Sequence, residues 1–308
     1  MQTRQPSYIK LYENGELNSR IAKLNERMSE CTLCPRRCRA RRFEGDKGVC
    51  SAGQLPIVAS AQPHFGEEPP LTGWAGSGTI FMSHCNMRCV YCQNADISQG
   101  SKGDEVSLDE LSTMMVMLQR KGCHNVNFVT PTHQIAQIVA ALPKAIENGL
   151  SVPLVYNSGG YEEPDAIRLL DGIFDIYMPD LKYGDDDAAF NLSAAIHYVR
   201  FSFASAKEMH RQVGDLVVDK NGVALSGLIV RHLILPNGLA GTSEVMRFIA
   251  HELSVNTYVN IMGQYRPCHK AGQHPAIDRR ITPEEYDEAI RIAKGYGLVT
   301  TVNRDRKP

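Results

Sequence analysis

Six short stretches, residues 78–83, 125–130, 153–157, 175–179, 228–235 and 257–262, are continuous in apolar or β-branched side chains. A strand covered on both faces needs such continuity, whereas a half-exposed strand alternates. Between these stretches apolar residues recur at helical spacing. One helix is predicted to start at Ser107-Leu108-Asp109-Glu110, a capping box, and to run through Met114, Met115 and Leu118. A second follows Thr132, with Ile135, Ile138, Val139 and Leu142 on one face, and a third opens at Thr242-Ser243-Glu244, with Val245, Phe248, Ile249 and Leu253. The last begins Thr282-Pro283-Glu284-Glu285, with threonine as N-cap and proline at the first helical position. Asp219-Lys220-Asn221-Gly222 predicts a hairpin turn before the fifth strand. Six β/α units with right-handed crossovers curl into an open barrel or a doubly wound sheet.

Composition places this pattern in an ordinary globular protein. The chain has 308 residues, 43% apolar and 22% charged, with a net charge of −1. That balance gives no global attraction to nucleic acid or to an anionic membrane. Residues 1–7 lack the apolar core of a secretory signal, and no apolar run approaches the ~20 residues needed to span a bilayer. The expected location is therefore the cytoplasm, where thiols stay reduced and cysteines serve as ligands or core residues before disulfides.

Nine cysteines change the picture. Cys31, Cys34, Cys38 and Cys50 form one group, Cys85, Cys89 and Cys92 a second, and Cys123 and Cys268 stand alone. At this cysteine content a given Cys finds partners at both +4 and +7 about once in a thousand times. The second group lies directly after the first strand, on the face where βα folds build their active sites. A cubane cluster normally takes four thiolates, so three leave one iron open to substrate or cofactor. The other readings of this triad are a zinc loop and three unrelated buried thiols. Cys123, with His124, closes a helix before the second strand and is expected in the core.

The run His84-Cys85-Asn86-Met87-Arg88-Cys89-Val90-Tyr91-Cys92, with the αβ repeat behind it, resembles the radical S-adenosylmethionine (SAM) superfamily. The resemblance implies a partial (β/α)6 barrel over residues 71–308, preceded by a Cys-rich segment over 1–70. It implies a [4Fe–4S] cluster on Cys85, Cys89 and Cys92, and SAM at the open iron. Tyr91 falls where the family often sets a ring beside the adenine. Asp180-Leu181-Lys182 is similar to the Asp-Leu-Lys of pyruvate formate-lyase activating enzyme relatives, whose lysine pairs with the SAM carboxylate. Thr130-Pro131-Thr132-His133 stands where the superfamily usually has a Gly-Gly-Glu-like segment that contacts the SAM amino group, making Thr130 and Thr132 candidates. Asn157-Ser158-Gly159-Gly160 resembles the Asn-Gly turn near the SAM ribose or carboxylate, and is equally a simple glycine turn. Arg231 matches the arginine that activases place on their fifth strand, where a structural Asp would serve as partner equally well. Met262 ends the sixth.

Arg36–Arg37, Gly76–Thr79 and the run 260–267 make the whole set most similar to the PflX-like branch of activase relatives. One departure is that Val259-Asn260-Ile261-Met262 lacks the histidine which activases have on that strand. The implied activity is reductive cleavage of SAM to a 5′-deoxyadenosyl radical, which abstracts hydrogen from an unidentified protein or small molecule. A reductant such as flavodoxin or ferredoxin supplies the electron. A reading from another class is an iron–sulfur or zinc protein that transfers electrons or binds partners without its own catalysis. Tyr265 and Cys268, beyond the sixth strand, are candidate donors of a hydrogen atom or electron. Cys31-x2-Cys34-x3-Cys38-x11-Cys50 is spaced as a second metal site, for Zn or another iron–sulfur cluster, the other reading being four buried free thiols. Arg36, Arg37, Arg39, Arg41, Arg42 and Lys47 surround it, either to offset the charge of the thiolates or to dock an acidic partner or RNA.

Overall fold

A computed structural model describes residues 5–298, so the first four residues of the segment searched for a signal lie outside the described residues. Two helices, α1 (Ser7–Glu13) and α2 (Glu16–Ser29), lead into the cysteine-rich stretch, which contains a short 3-10 helical turn at Arg42–Glu44. Next come β1 (Ile57–His64), α3 (Pro69–Thr72), β2 (Ser77–Met82), α4 (Ala95–Ser98) and β3 (Asp104–Glu105). The chain then alternates through α5 (Leu108–Arg120), β4 (Val126–Val129), α6 (Ile135–Glu147), β5 (Leu154–Ser158), α7 (Pro164–Arg168) and β6 (Ile176–Pro179). After α8 (Asp186–Ser193) and α9 (Tyr198–Val213), the short β7 (Val217–Val218) turns back into β8 (Ala224–Leu233). The last elements are α10 (Thr242–Phe248), β9 (Tyr258–Met262) and α11 (Pro283–Gly295).

The described strands form one sheet in the order β3-β1-β2-β4-β5-β6-β8-β7, with β9 pairing β8. β2, β4, β5, β6, β8 and β9 run parallel in register, Ile80 opposite Phe128, Phe128 opposite Tyr156, and Tyr156 opposite Tyr177. These are the six stretches read as doubly covered strands, and β5 and β6 are buried along their whole length. The molecule is a mixed α/β fold with an open, barrel-like sheet. The Asp219–Gly222 turn joins β7 to β8 antiparallel. Both capping boxes form, at Ser107 and at Thr282.

Two features depart from the pattern. β1, from the stretch assigned to the Cys-rich segment, pairs antiparallel with β2 and extends the sheet. Helix α10 is shorter than its apolar spacing suggests, because its last turn, Ile249–Leu253, widens to π geometry.

Candidate active site

The three-cysteine loop leaves β2 at Met82 and is pinned on all sides by backbone bonds. Ser83 N–H donates to Ile57 O, His84 N–H to Ile97 O, Arg88 N–H to Ser193 O and Val90 N–H to Leu192 O. His84 takes a left-handed conformation, φ 67°, which turns the chain sharply before the first thiol. Cys85 Sγ accepts from Met87 N–H at 3.3 Å, Ser193 Oγ donates to Cys89 Sγ at 2.9 Å, and Cys92 Sγ lies 3.1 Å from Ser98 Oγ. The three sulfurs open on one cavity of about 290 Å³, near the small end of ligand sites. Burial pushes the Cys85 thiol up to about 12, with Cys89 adding to the effect, and raises Cys89 as well. Thiols so placed become thiolates when a metal binds them.

Strand ends complete the cavity. Asp180 follows β6 and Arg231 lies on β8, and the two backbones meet in a parallel bridge. Arg231 Nε donates to Asp180 Oδ1 at 2.7 Å and Lys182 Nζ to Asp180 Oδ2 at 2.5 Å. Burial would raise the Asp180 carboxyl, but Arg231 and Lys182 outweigh it and hold the group below the usual carboxylate range. Burial opposes the charge on Lys182, yet Asp180 and Cys89 leave its ammonium more basic than usual. Arg231 also donates to Asn157 Oδ1 at 2.8 Å and reaches Glu67 and Glu68 at 3.5 and 3.8 Å. Burial pushes Glu67 up to about 7, against the pull of Arg231.

Of the residues singled out in the sequence, Tyr91, Thr130, Asn157, Ser158, Asp180, Lys182, Arg231 and Met262 line this cavity with the three cysteines. The Tyr91 ring is fixed by a hydroxyl chain from Tyr91 through Tyr183 and Ser193 to Cys89 Sγ, with steps of 2.6, 2.6 and 2.9 Å. Thr132 is turned away, its hydroxyl donating to Glu162 Oε1 at 2.6 Å. Tyr265 lies behind Tyr91, ring edge to ring at 5.8 Å, and donates to Ile277 O, so its hydroxyl is engaged outside the cavity. Cys268 is half-buried and does not reach the cavity either. The glycine turn has a steric reason. Gly160 has φ 77°, and a Cβ there would stand 2.1 Å from Asp180 O.

Glu67 and Glu68 were not legible as site residues. Their only signal is a doubled acid before Pro69-Pro70, between two β-rich stretches. Asn260 Nδ2 donates to Glu68 Oε1 at 2.9 Å, closing the polar floor from β9. Met87, inside the three-cysteine loop, and Gln264, just beyond the sixth strand, also line the cavity.

The sequence model of the radical SAM superfamily matches residues 79–219, from β2 to just past β7. Uncharacterized protein MJ0674 of Methanocaldococcus jannaschii is 34% identical over 278 residues, covering 87% of this chain and 75% of that protein. The chain belongs to the radical SAM superfamily. A second protein of the same organism, uncharacterized protein MJ0808, is 23% identical over 299 residues, 90% of this chain and 80% of its own length. Among solved structures, HydG, a maturase of the [FeFe]-hydrogenase, aligns with a TM-score of 0.50 at 11% identity. That alignment covers 72% of this chain and 49% of the maturase chain, so the chain spans about half of that length. It shows a shared fold.

As a radical SAM protein the chain is an enzyme of radical chemistry that uses a [4Fe–4S] cluster and SAM. The residues present fit both groups. Three soft sulfur donors suit a cluster held at three corners, and the polar wall beside them offers cations and acceptors to a zwitterion. Among the described residues no helix is long and apolar enough to cross a membrane.

Proposed function

We propose that the chain is an activating-enzyme-like radical SAM oxidoreductase of the PflX-like branch, with its cluster on Cys85, Cys89 and Cys92. The observation that supports this most is the sharing of one cavity by three thiols and the Asp180–Lys182–Arg231 group, all at the C-terminal ends of parallel strands. Bound there, the cluster and SAM supply reductive cleavage of the sulfonium and hydrogen abstraction by the resulting 5′-deoxyadenosyl radical. Lys182 offers its ammonium to the SAM carboxylate while Asp180 keeps that ammonium charged and oriented. Asn157, Ser158 and the Thr130 backbone and hydroxyl present acceptors to the amino group and the ribose. Tyr91 and Met262 give an apolar wall for the adenine. A protein or a small molecule is the hydrogen donor, and reduced flavodoxin or ferredoxin in the cytoplasm is the source of electrons.

The test is anaerobic reconstitution with iron and sulfide, followed by dithionite and SAM. Formation of 5′-deoxyadenosine and methionine is expected. A protein with a full complement of iron that yields none would overturn the enzymatic reading in favour of an electron carrier. Lys182→Met should weaken SAM binding by about tenfold or more, the order expected for a lost charge-assisted bond.

A further inference from the structure

The four N-terminal cysteines take no part in the cavity above, yet they are drawn together. Cys31, Cys34 and Cys50 are buried and Cys38 is half-buried. A Cβ added at Gly48 would stand 2.7 Å from Cys38 Sγ and 3.9 Å from Cys50 Sγ, so this glycine leaves room for the sulfurs. The loop between them is held in an unusual shape. Arg37, Arg39 and Ser51 have φ of 41°, 55° and 60°, which side-chain-bearing residues adopt only when their surroundings force it.

Arg42 is the second, independent observation. It is 1% exposed. Its guanidinium donates to Cys50 Sγ at 3.4 Å and to His133 O at 2.5 Å, and its Nε has no partner. Most other basic residues of this segment behave differently: Arg37, Arg39, Arg41 and Lys47 pair with Glu163, Glu30, Glu44 and Glu105. Arg36, which among the described residues pairs with no carboxylate either, donates to Asn86 O and lies over the Tyr161 ring. Among the described residues Arg42 has no carboxylate in ion-pair reach, and a buried cation without a counter-ion is strongly unfavourable.

Four thiolates around a [4Fe–4S]²⁺ core or around Zn²⁺ leave a charge of −2, which would meet that need. Either centre is one that four thiolates close completely.

We propose that Cys31, Cys34, Cys38 and Cys50 hold a second metal centre, a tetrathiolate [4Fe–4S] cluster or zinc site, with Arg42 as its buried counter-ion and as the tie between it and the SAM-side loops. The connections run to the radical site on three sides. From the His133 carbonyl held by Arg42, the same residue's Nε2 reaches Ser83 O at 2.8 Å, two residues before Cys85. Arg36 Nε donates to Asn86 O at 2.7 Å. Arg88 donates to Cys85 O at 2.8 Å and, with its other nitrogen, to Val49 O beside Cys50. The second centre therefore positions the loop that holds the first. This tie rests on the proposed function, whereas the centre itself does not.

The test uses the full chain, isolated anaerobically and analysed for metal before and after reconstitution with iron and sulfide. A Cys85→Ala/Cys89→Ala/Cys92→Ala variant should retain metal on the four remaining thiols, either about four irons and four sulfides with the Mössbauer signature of a cubane or about one zinc. Retention of no metal would overturn the assignment. Arg42→Met in that background should lose that metal to a chelator at least about tenfold faster, as expected for a deleted buried charge partner, and Arg42→Lys should restore most of the retention. Equal loss rates in folded proteins, judged by circular dichroism, would overturn the counter-ion role. A wild-type protein with both centres but no 5′-deoxyadenosine would sink the proposed function and leave this centre standing.

Discussion

Single side chains in this site are defined by their opponents. Asp180 stands between two cations, at 2.5 Å from Lys182 and 2.7 Å from Arg231; it is the carboxylate that pairs Lys182, whereas Arg231 also has Glu67 and Glu68 in reach. Asp180→Asn should lower stability by about 3 kcal/mol, read as a shift of the urea midpoint, and should weaken SAM binding at the same time. If SAM affinity is unchanged, Lys182 does not depend on Asp180 for its orientation. Cys89→Ala should remove the cluster at the triad, leaving about four irons fewer per chain than wild type. Residues of this kind were legible because their chemistry carries a spacing, as in the three cysteines, or a position after an apolar run, as in Asp180-Leu181-Lys182. Glu67 and Glu68 have neither. They reach Arg231 only because β1 and the turn after it fold over the barrel floor, and that placement belongs to the tertiary structure.

At the scale of elements, the rule that found the six parallel strands also explains why it missed β1. The six parallel strands are largely apolar because residues on both of their faces are buried. β1 is buried mainly at its first two residues and contains Pro63, so it reads as a loop until β2 is there to pair with it. Termini were more legible than edges, since a cap is a local hydrogen bond. Thr282 Oγ1 accepts from Glu285 N–H and Glu285 in turn accepts from Thr282 N–H. Thr282→Ala should cost about 1 kcal/mol in chemical denaturation. The cost should be larger than that of Ser107→Ala, because Glu285 also accepts from Arg279 and from Asn237 N–H and is held down to about 2 by that company. Equal costs would mean that the Arg279–Glu285 pair adds nothing beyond the cap.

The whole molecule contains a carboxyl that it holds near neutrality. Glu162, 1% exposed, sits beneath the loop after β4 and accepts hydrogen bonds from Thr132 at 2.6 Å and Tyr156 at 2.8 Å, tying three barrel segments together. Burial pushes it from 4.5 up to about 7, and the hydroxyl donors only partly offset this. Between those two values the folded chain binds a proton that the unfolded chain has released. Stability contributed by this group is therefore fully present below about pH 4.5 and is lost as pH rises through about 7. The ceiling on that loss is about 3 kcal/mol, from a shift of that size. Glu67, pushed up to about 7 in the same direction, adds to the slope. Wild type should thus unfold at lower urea at pH 8 than at pH 6, while Glu162→Gln, which keeps the volume and stays neutral, should show a flatter dependence. Comparing the two chains in the same metal state removes the contribution of the clusters. Parallel pH profiles for the two proteins would show that Glu162 is ionised in the folded chain throughout, with its charge met by the barrel's own donors.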